Sequence, residues 1–251
     1  SASASLGRPS APISMRRVLE AKRILTDNLA PSDSRACNLN TLDMIDLVDA
    51  NKGLFDPQGQ LSSDFRDGKI GGQLAGFENF YENTLWPTHT TGTCSGDAVG
   101  TSASTYTLNG DMDAVSAFTV TPGTNAGTLT DGDIITVSGL FRVHPESRTT
   151  TTILHQFVVT TTIAASATSI PISPAVRTSG ALQNVAQVGS SGAAVFKVGS
   201  TSDAHGLSMA YHPDAFIFAS ADLIMPDGVD FAAREVLDGI SMRIVRAYAI
   251  N

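Results

Sequence analysis

His212 stands in the run Met209–Pro226, MAYHPDAFIFASADLIMP, with Asp214 and Asp222 close by. A histidine near carboxylates is the equipment of a general base or of a metal site. The local pattern explains these residues without either chemistry. His212 precedes Pro213, which biases its backbone toward an extended conformation. Pro213 and Asp214 then suit the first turn of a helix, where proline costs no hydrogen bond and an aspartate complements the dipole.

Searches for other chemistry end the same way. The histidines at 89, 144, 155, 205 and 212 never form the i, i+4 pair that holds a metal on one helix face. No serine sits in a Gly-x-Ser-x-Gly elbow. Gly68-Lys69-Ile70-Gly71-Gly72 has its lysine before the glycine pair, the reverse of a phosphate loop. Asp111-Met112-Asp113 and Asp131-Gly132-Asp133 lack the further alternating ligands of a calcium loop and read as turns. Cys37 and Cys94 are too few and too far apart for a disulfide scaffold or a zinc site, and read as free thiols of a reducing compartment. No residue is therefore assigned a catalytic, cofactor-binding or metal-binding role, and the chain reads as a non-enzyme.

The elements that carry these residues fall into three textures. In the first, Val18, Ala21, Leu25 and Leu29 recur at helical spacing over 13–29, ahead of Pro31. Residues 34–39 suit a short strand. Asn40 then caps a second helix, with Asp43 three residues on, Leu42, Ile45 and Val48 along one side, and Gly53 at the end. A glycine-rich and then aromatic stretch over 68–90 suits a hinge. From 92 to 206 the chain is sparsely charged and rich in Thr, Ser, Gly and β-branched residues punctuated by turns, the pattern of a small barrel or sandwich. Its clearest strands are expected at 117–121, 134–141, 154–162, 169–172 and 193–198. Beyond 207 the texture returns to mixed α and β, with Met242, Ile244 and Tyr248 on one face of a strand. The expected organisation is a core domain in two segments, 1–91 and 207–251, interrupted by a β domain over 92–206, with the junctions near Thr91 and Leu207 close in space.

Composition narrows the function. Of 251 residues only 16% are charged, against a more usual quarter, so the surface is polar but weakly charged. The formal charge of −8 argues against direct nucleic-acid affinity, which needs clustered cations. The basic pairs Arg16-Arg17 and Lys22-Arg23 fall on one helix and read as a solvated face. The sequence contains neither a membrane-length apolar run nor a signal peptide, as expected of a soluble protein. It starts without Met and stops in mid-pattern, as part of a longer polypeptide would. On these features alone, a β-rich adhesin or carbohydrate-binding module with Tyr81 and Trp86 as a stacking platform is an alternative reading.

Four stretches together resemble one family. MAYHPDAFIFASADLIMPDGVDFAARE is similar to the late segment of tailed-bacteriophage major capsid proteins, and GQLAGFENFYENTLWPTHTTGT to their Ala-Gly-Phe, Glu-Asn and Pro-Thr-His-Thr signature. ISPAVRTSGALQNV resembles part of their inserted domain, and SMRIVRAYAIN their closing strand. The closest group is the P-twenty-two-like coat proteins. The resemblance implies an α+β, HK-ninety-seven-type capsid fold with an inserted small β-barrel. It further implies a structural protein arranged as hexamers and pentamers of an icosahedral shell. Such a shell is assembled in the bacterial cytoplasm with scaffolding and portal proteins, and encloses DNA without binding it specifically. In such proteins the inserted domain aids subunit folding and contributes intersubunit contacts.

Overall fold

The chain reverses direction first at Pro31 and builds an α+β layer around the strand that follows. A computed structural model describes residues 13–51, 67–68, 70, 73–94, 106–123, 126–221 and 223–247. Gly53, Gly71, Gly72, Asp222 and Tyr248, which figure in the sequence reading, lie outside them. Helix α1 (Met15–Asp27) buries Val18 and Ala21, and ends two residues short of Leu29, which is left-handed and half exposed. On its solvent side Glu20 pairs with Arg16 (3.3 Å) and Arg17 (2.9 Å), as a solvated basic face should. Strand β1 (Ala36–Leu39) lies between parallel β2 (Asn79–Glu82) and antiparallel β11 (Met209–Tyr211). One apolar cluster joins this sheet to both helices, with Cys37, Leu39, Met44, Leu47 and Phe77 at its centre.

Helix α2 (Thr41–Ala50) starts where the sequence predicts, but of the expected apolar side only Val48 is buried. The Asn40 side chain accepts from the Asp43 amide at 2.8 Å, the N-cap bond that satisfies a first-turn donor. Asp43, Met44, Leu47 and Val48 are buried, whereas Leu42 and Ile45 are 51% and 62% exposed. Two apolar sets recur at helical spacing here, and the buried polar pair Asp43–Ser208 decides between them. Ser208 Oγ donates to the Asp43 carboxylate at 2.5 Å, while the Asn40 amide donates to Leu207 O at 3.2 Å. Helix α2 is therefore turned by the returning chain at 207–208.

The remaining strands close a barrel in the order β4-β5-β8-β7-β6-β9, every neighbour antiparallel. They are β4 (Tyr106–Leu108), β5 (Ala117–Pro122), β6 (Ile134–Val143), β7 (Thr150–Val159), β8 (Ser169–Ser173) and β9 (Ala194–Lys197). Each contributes a pair of buried residues at a spacing of two, Tyr106 and Leu108, Phe118 and Val120, Ile135 and Val137, Phe157 and Val159, Ile170 and Ile172, Val195 and Lys197, and the longer β6 adds Thr136, Leu140 and Val143. A six-stranded barrel is narrow enough for such pairs to fill it. Of the barrel strands, β4 is the one absent from the sequence reading. β7 begins four residues earlier than expected, because it takes in Thr150, Thr151 and Thr152 of the threonine run.

Residues 213–247 form a separate unit, beginning with a 3₁₀ turn (Pro213–Ala215). It ends in the hairpin of β12 (Phe231–Leu237) and β13 (Ile240–Arg246). Arg234 and Arg243 share one face of the hairpin and donate to the carbonyls of Leu223 and Ile224. Ile240, Met242 and Ile244 share the other and are exposed. The described part of this unit contains strands and one short 3₁₀ turn, where a return to mixed α and β character is expected from the sequence.

Burial raises the Asp43 carboxyl above the ordinary carboxylate range, against the lowering hydrogen bond from Ser208, with the neighbouring Asp46 charge adding to the rise. The folded state thus holds this proton more tightly than the unfolded chain. The Asp43 contribution to stability is full below the ordinary carboxylate range and is lost as pH rises from there through the raised value of the folded state. Asp43→Asn should remove that decline, read as a flatter dependence of the urea midpoint on pH between 4 and 7 than in the parent chain.

Candidate functional site at the barrel junction

The barrel is entered and left through one two-stranded ribbon. β3 (Thr88–Thr90) pairs antiparallel with β10 (Ala204–Gly206), with His89 opposite His205. On the barrel side of the ribbon, Thr91 N donates to Asp203 O at 3.0 Å and Asp203 N to Thr91 Oγ1 at 2.9 Å. On the core side, Leu207 N donates to Pro87 O at 3.2 Å. The two junctions are thus in hydrogen-bond contact with each other.

Asp133, at the start of β6, organises the entering strand. Its side chain is fully buried, and Oδ2 accepts from the amides of Gly92 (3.0 Å) and Thr130 (2.8 Å). Oδ1 lies 3.1 Å from His89 Nε2, and the His89 ring meets His205 edge-on with centroids 5.4 Å apart. A buried carboxylate is stable only when its lone pairs are occupied in this way. The turn before it needs Gly132, whose φ is +94° and whose missing Cβ would sit 3.2 Å from the His89 ring.

A second clasp follows immediately. Thr93 N donates to Thr128 Oγ1 at 3.1 Å, Thr128 N donates to Thr93 Oγ1 at 3.0 Å, and Cys94 N donates to Thr128 O at 3.1 Å. Gly92 and Gly127 flank this contact because the two backbones nearly touch. A Cβ on Gly92 would fall 2.1 Å from Thr128 O, and one on Gly127 would fall 2.4 Å from Cys94 N. On the exit side, buried Lys197 points its ammonium at the carbonyls of Ser200 (2.6 Å) and Gly199 (3.4 Å), and Thr91 Oγ1 also donates to Ser200 O. The inner lysine of β9 thus closes the barrel with main-chain oxygens.

The residues singled out in the sequence are placed as architecture. His212 is buried and precedes the 3₁₀ turn, while Asp214 is exposed. Asp111 accepts from Ser191 N, and Asp113 from Ala114 N and Thr178 Oγ1. His144 accepts from the amides of Glu146 and Ser147 in the β6–β7 turn. Both cysteines are buried free thiols, and burial pushes Cys37 up to about 12, helped by Asp43. Among the described residues no cluster could hold a metal ion, and no helix is long and apolar enough to cross a membrane. The Trp86 indole is held by Asn38 at 3.1 Å and is half-buried, while Tyr81 is half exposed. Of the 68–90 stretch, Phe77 and β2 pack in the α+β layer and β3 forms the ribbon.

Sequence reasoning missed the pairing of His89 with Asp133 and of His89 with His205. The first pair lies 44 residues apart, and only strand register brings the second together. The one available signal was the position of Asp133 after a glycine and before a β-branched run.

The Asp133 carboxylate, His89, His205 and Lys197 thus tie the closed barrel to the ribbon that leads to the α+β layer. The family whose model matches residues 10–251 is described as P22 coat protein, gene protein 5, and the chain belongs to that family. It is a structural capsid protein of a bacteriophage, and the adhesin reading has no support. No curated protein matches the chain. One similar solved structure is the CUS-3 coat protein I-domain, 23% identical, covering 39% of this chain and 98% of its own, with a TM-score of 0.29.

The glycine clasp can be tested by adding one carbon. Gly92→Ala or Gly127→Ala must push one backbone off another, at a cost of about 3 kcal/mol or more. Gly180→Ala, at φ +82° with open space around it, should cost only about 1 kcal/mol. Thermal melts of the three variants would show the ranking.

Proposed function

We propose that this chain builds the icosahedral head shell of a bacteriophage by self-assembly into hexamers and pentamers, as a subunit of the HK-ninety-seven type. The observation that carries this reading is the family match over residues 10–251. Residues 92–206 act as a domain inserted between two core segments, 1–91 and 207–251. The separate apolar cluster of the barrel and the ribbon that joins its two ends support this division. The shell forms in the host cytoplasm with scaffolding and portal proteins, and becomes the capsid of the virion.

The subunit encloses DNA rather than gripping it, in keeping with a formal charge of −8. It carries out no catalysis. Cohesion between copies comes from many modest contacts multiplied by symmetry.

Particles purified from cells that co-express this polypeptide with a phage's scaffolding protein should appear in electron micrographs as closed shells, with this chain as the major band. A polypeptide that stays monomeric under those conditions would contradict the proposal.

A further inference from the structure

The barrel touches the core at a second place, away from the ribbon. The last turn of α1 presents four carbonyls that need donors from outside the helix. Asn28 takes Ile24 O (3.1 Å from its amide), Ala30 N takes Leu25 O (3.0 Å) and Leu29 N takes Thr26 O (3.0 Å). The fourth, Asp27 O, receives Arg142 Nη2 at 2.8 Å from β6 of the barrel. Arg142 sits where the β6–β7 register shifts, and its own carbonyl accepts from Thr151 Oγ1 at 2.7 Å. A guanidinium at a helix C-terminus also complements the dipole.

Beside this bond lies a cleft of about 230 Å³ between α1 and the β6–β7 end of the barrel. The charged and titratable groups that line it can be named element by element. From α1 come Arg23 and Asp27, themselves 4.0 Å apart; from β6 comes Arg142; from β7 comes His155. The segment that closes the cleft contributes Pro174, Gln183 and Asn184, none of which titrates. His155 stacks edge-on against the barrel residue Phe157, with centroids 4.7 Å apart. Its Nε2 is buried and makes no hydrogen bond among the described residues.

We propose that the Arg142–Asp27 bond is a proton-sensitive latch between barrel and core, closed while His155 is neutral and released when His155 gains a proton. A protonated His155 adds a third cation to a cleft already lined by Arg23 and Arg142, against the single carboxylate of Asp27. Opening it lets water reach both groups while the ribbon keeps the barrel attached and folded.

Burial, and then the Arg142 charge, hold the folded imidazole down at about 4, against an ordinary value of 6.5. The closed state therefore binds the proton less readily than the open one. Its advantage is full above the ordinary value and is lost as pH falls from there through about 4. Within that window the open fraction should rise roughly tenfold per pH unit. The inference concerns the isolated subunit and stands whether or not shells form.

Hydrogen–deuterium exchange of the full chain tests it, with rates corrected for intrinsic exchange. Between pH 6 and 5 the amides of Asn28 and Ala30 should exchange roughly tenfold faster, while those of Val137 and Val195 inside the barrel keep their protection. His155→Gln should abolish the pH dependence, and Arg142→Gln should give fast exchange at both values. If His155→Gln does not fold, His155→Phe serves the same purpose. Three results would each overturn the proposal: pH-independent exchange at Asn28 and Ala30, persistence of the dependence without His155, or barrel amides opening in step with the helix end.

Discussion

The buried carboxylate of Asp133 is the constraint on which the rest of this structure depends. Its oxygens collect one amide from the strand entering the barrel, one amide from its own turn, and the imidazole of His89 on the ribbon. A lone carboxylate buried without partners would be costly. The same burial makes the satisfied arrangement specific, because a shift of the ribbon by one residue would strand the charge. Gly132, Gly92 and Gly127 follow from this. Each permits an approach of ribbon, turn and strand that a side chain would block.

Outside that node the protein is held by conventional means divided between two apolar clusters. The barrel fills itself with paired inward residues, and the α+β layer packs both helices on a three-stranded sheet. Among the described residues, polar contacts sit at chain reversals: Asn40, Asp43 and Ser208 fix the returning chain on the α+β layer, and Arg142 of the barrel fixes the end of α1. Arg35 is buried beside the latter, donating to Pro31 O at 2.6 Å and Ala30 O at 2.7 Å, so that this helix end is closed from two sides.

Much of this was readable in the sequence, and the failures have physical reasons. The barrel strands at 117, 134, 169 and 194 were visible because β-branched runs alternate and end at turns. The Asn40 cap was visible because capping is local. The inward face of α2 was read only in part, with Val48 inside but Leu42 and Ile45 exposed, since two apolar sets share the helical period and the buried one is joined to Ser208, 165 residues from Asp43. β4 escaped because three residues carry too little periodicity. The junction was invisible as chemistry because His89, Asp133 and His205 meet only through strand register. No motif at fixed spacing marks such a cluster.

The central claim is that Asp133 couples barrel and core into one cooperative unit. Urea unfolding followed by two probes tests it most directly. Fluorescence of Trp86, the single tryptophan, reports the core sheet through its bond to Asn38, while far-UV circular dichroism reports the strands. The parent chain should show coincident transitions. Asp133→Asn should keep them together, because an amide can still accept from Gly92 and Thr130 and donate to the other tautomer of His89. Asp133→Ala should lower the midpoint and split the two curves. Coincident curves at an unchanged midpoint in Asp133→Ala would show that the carboxylate is incidental and that the coupling lies elsewhere.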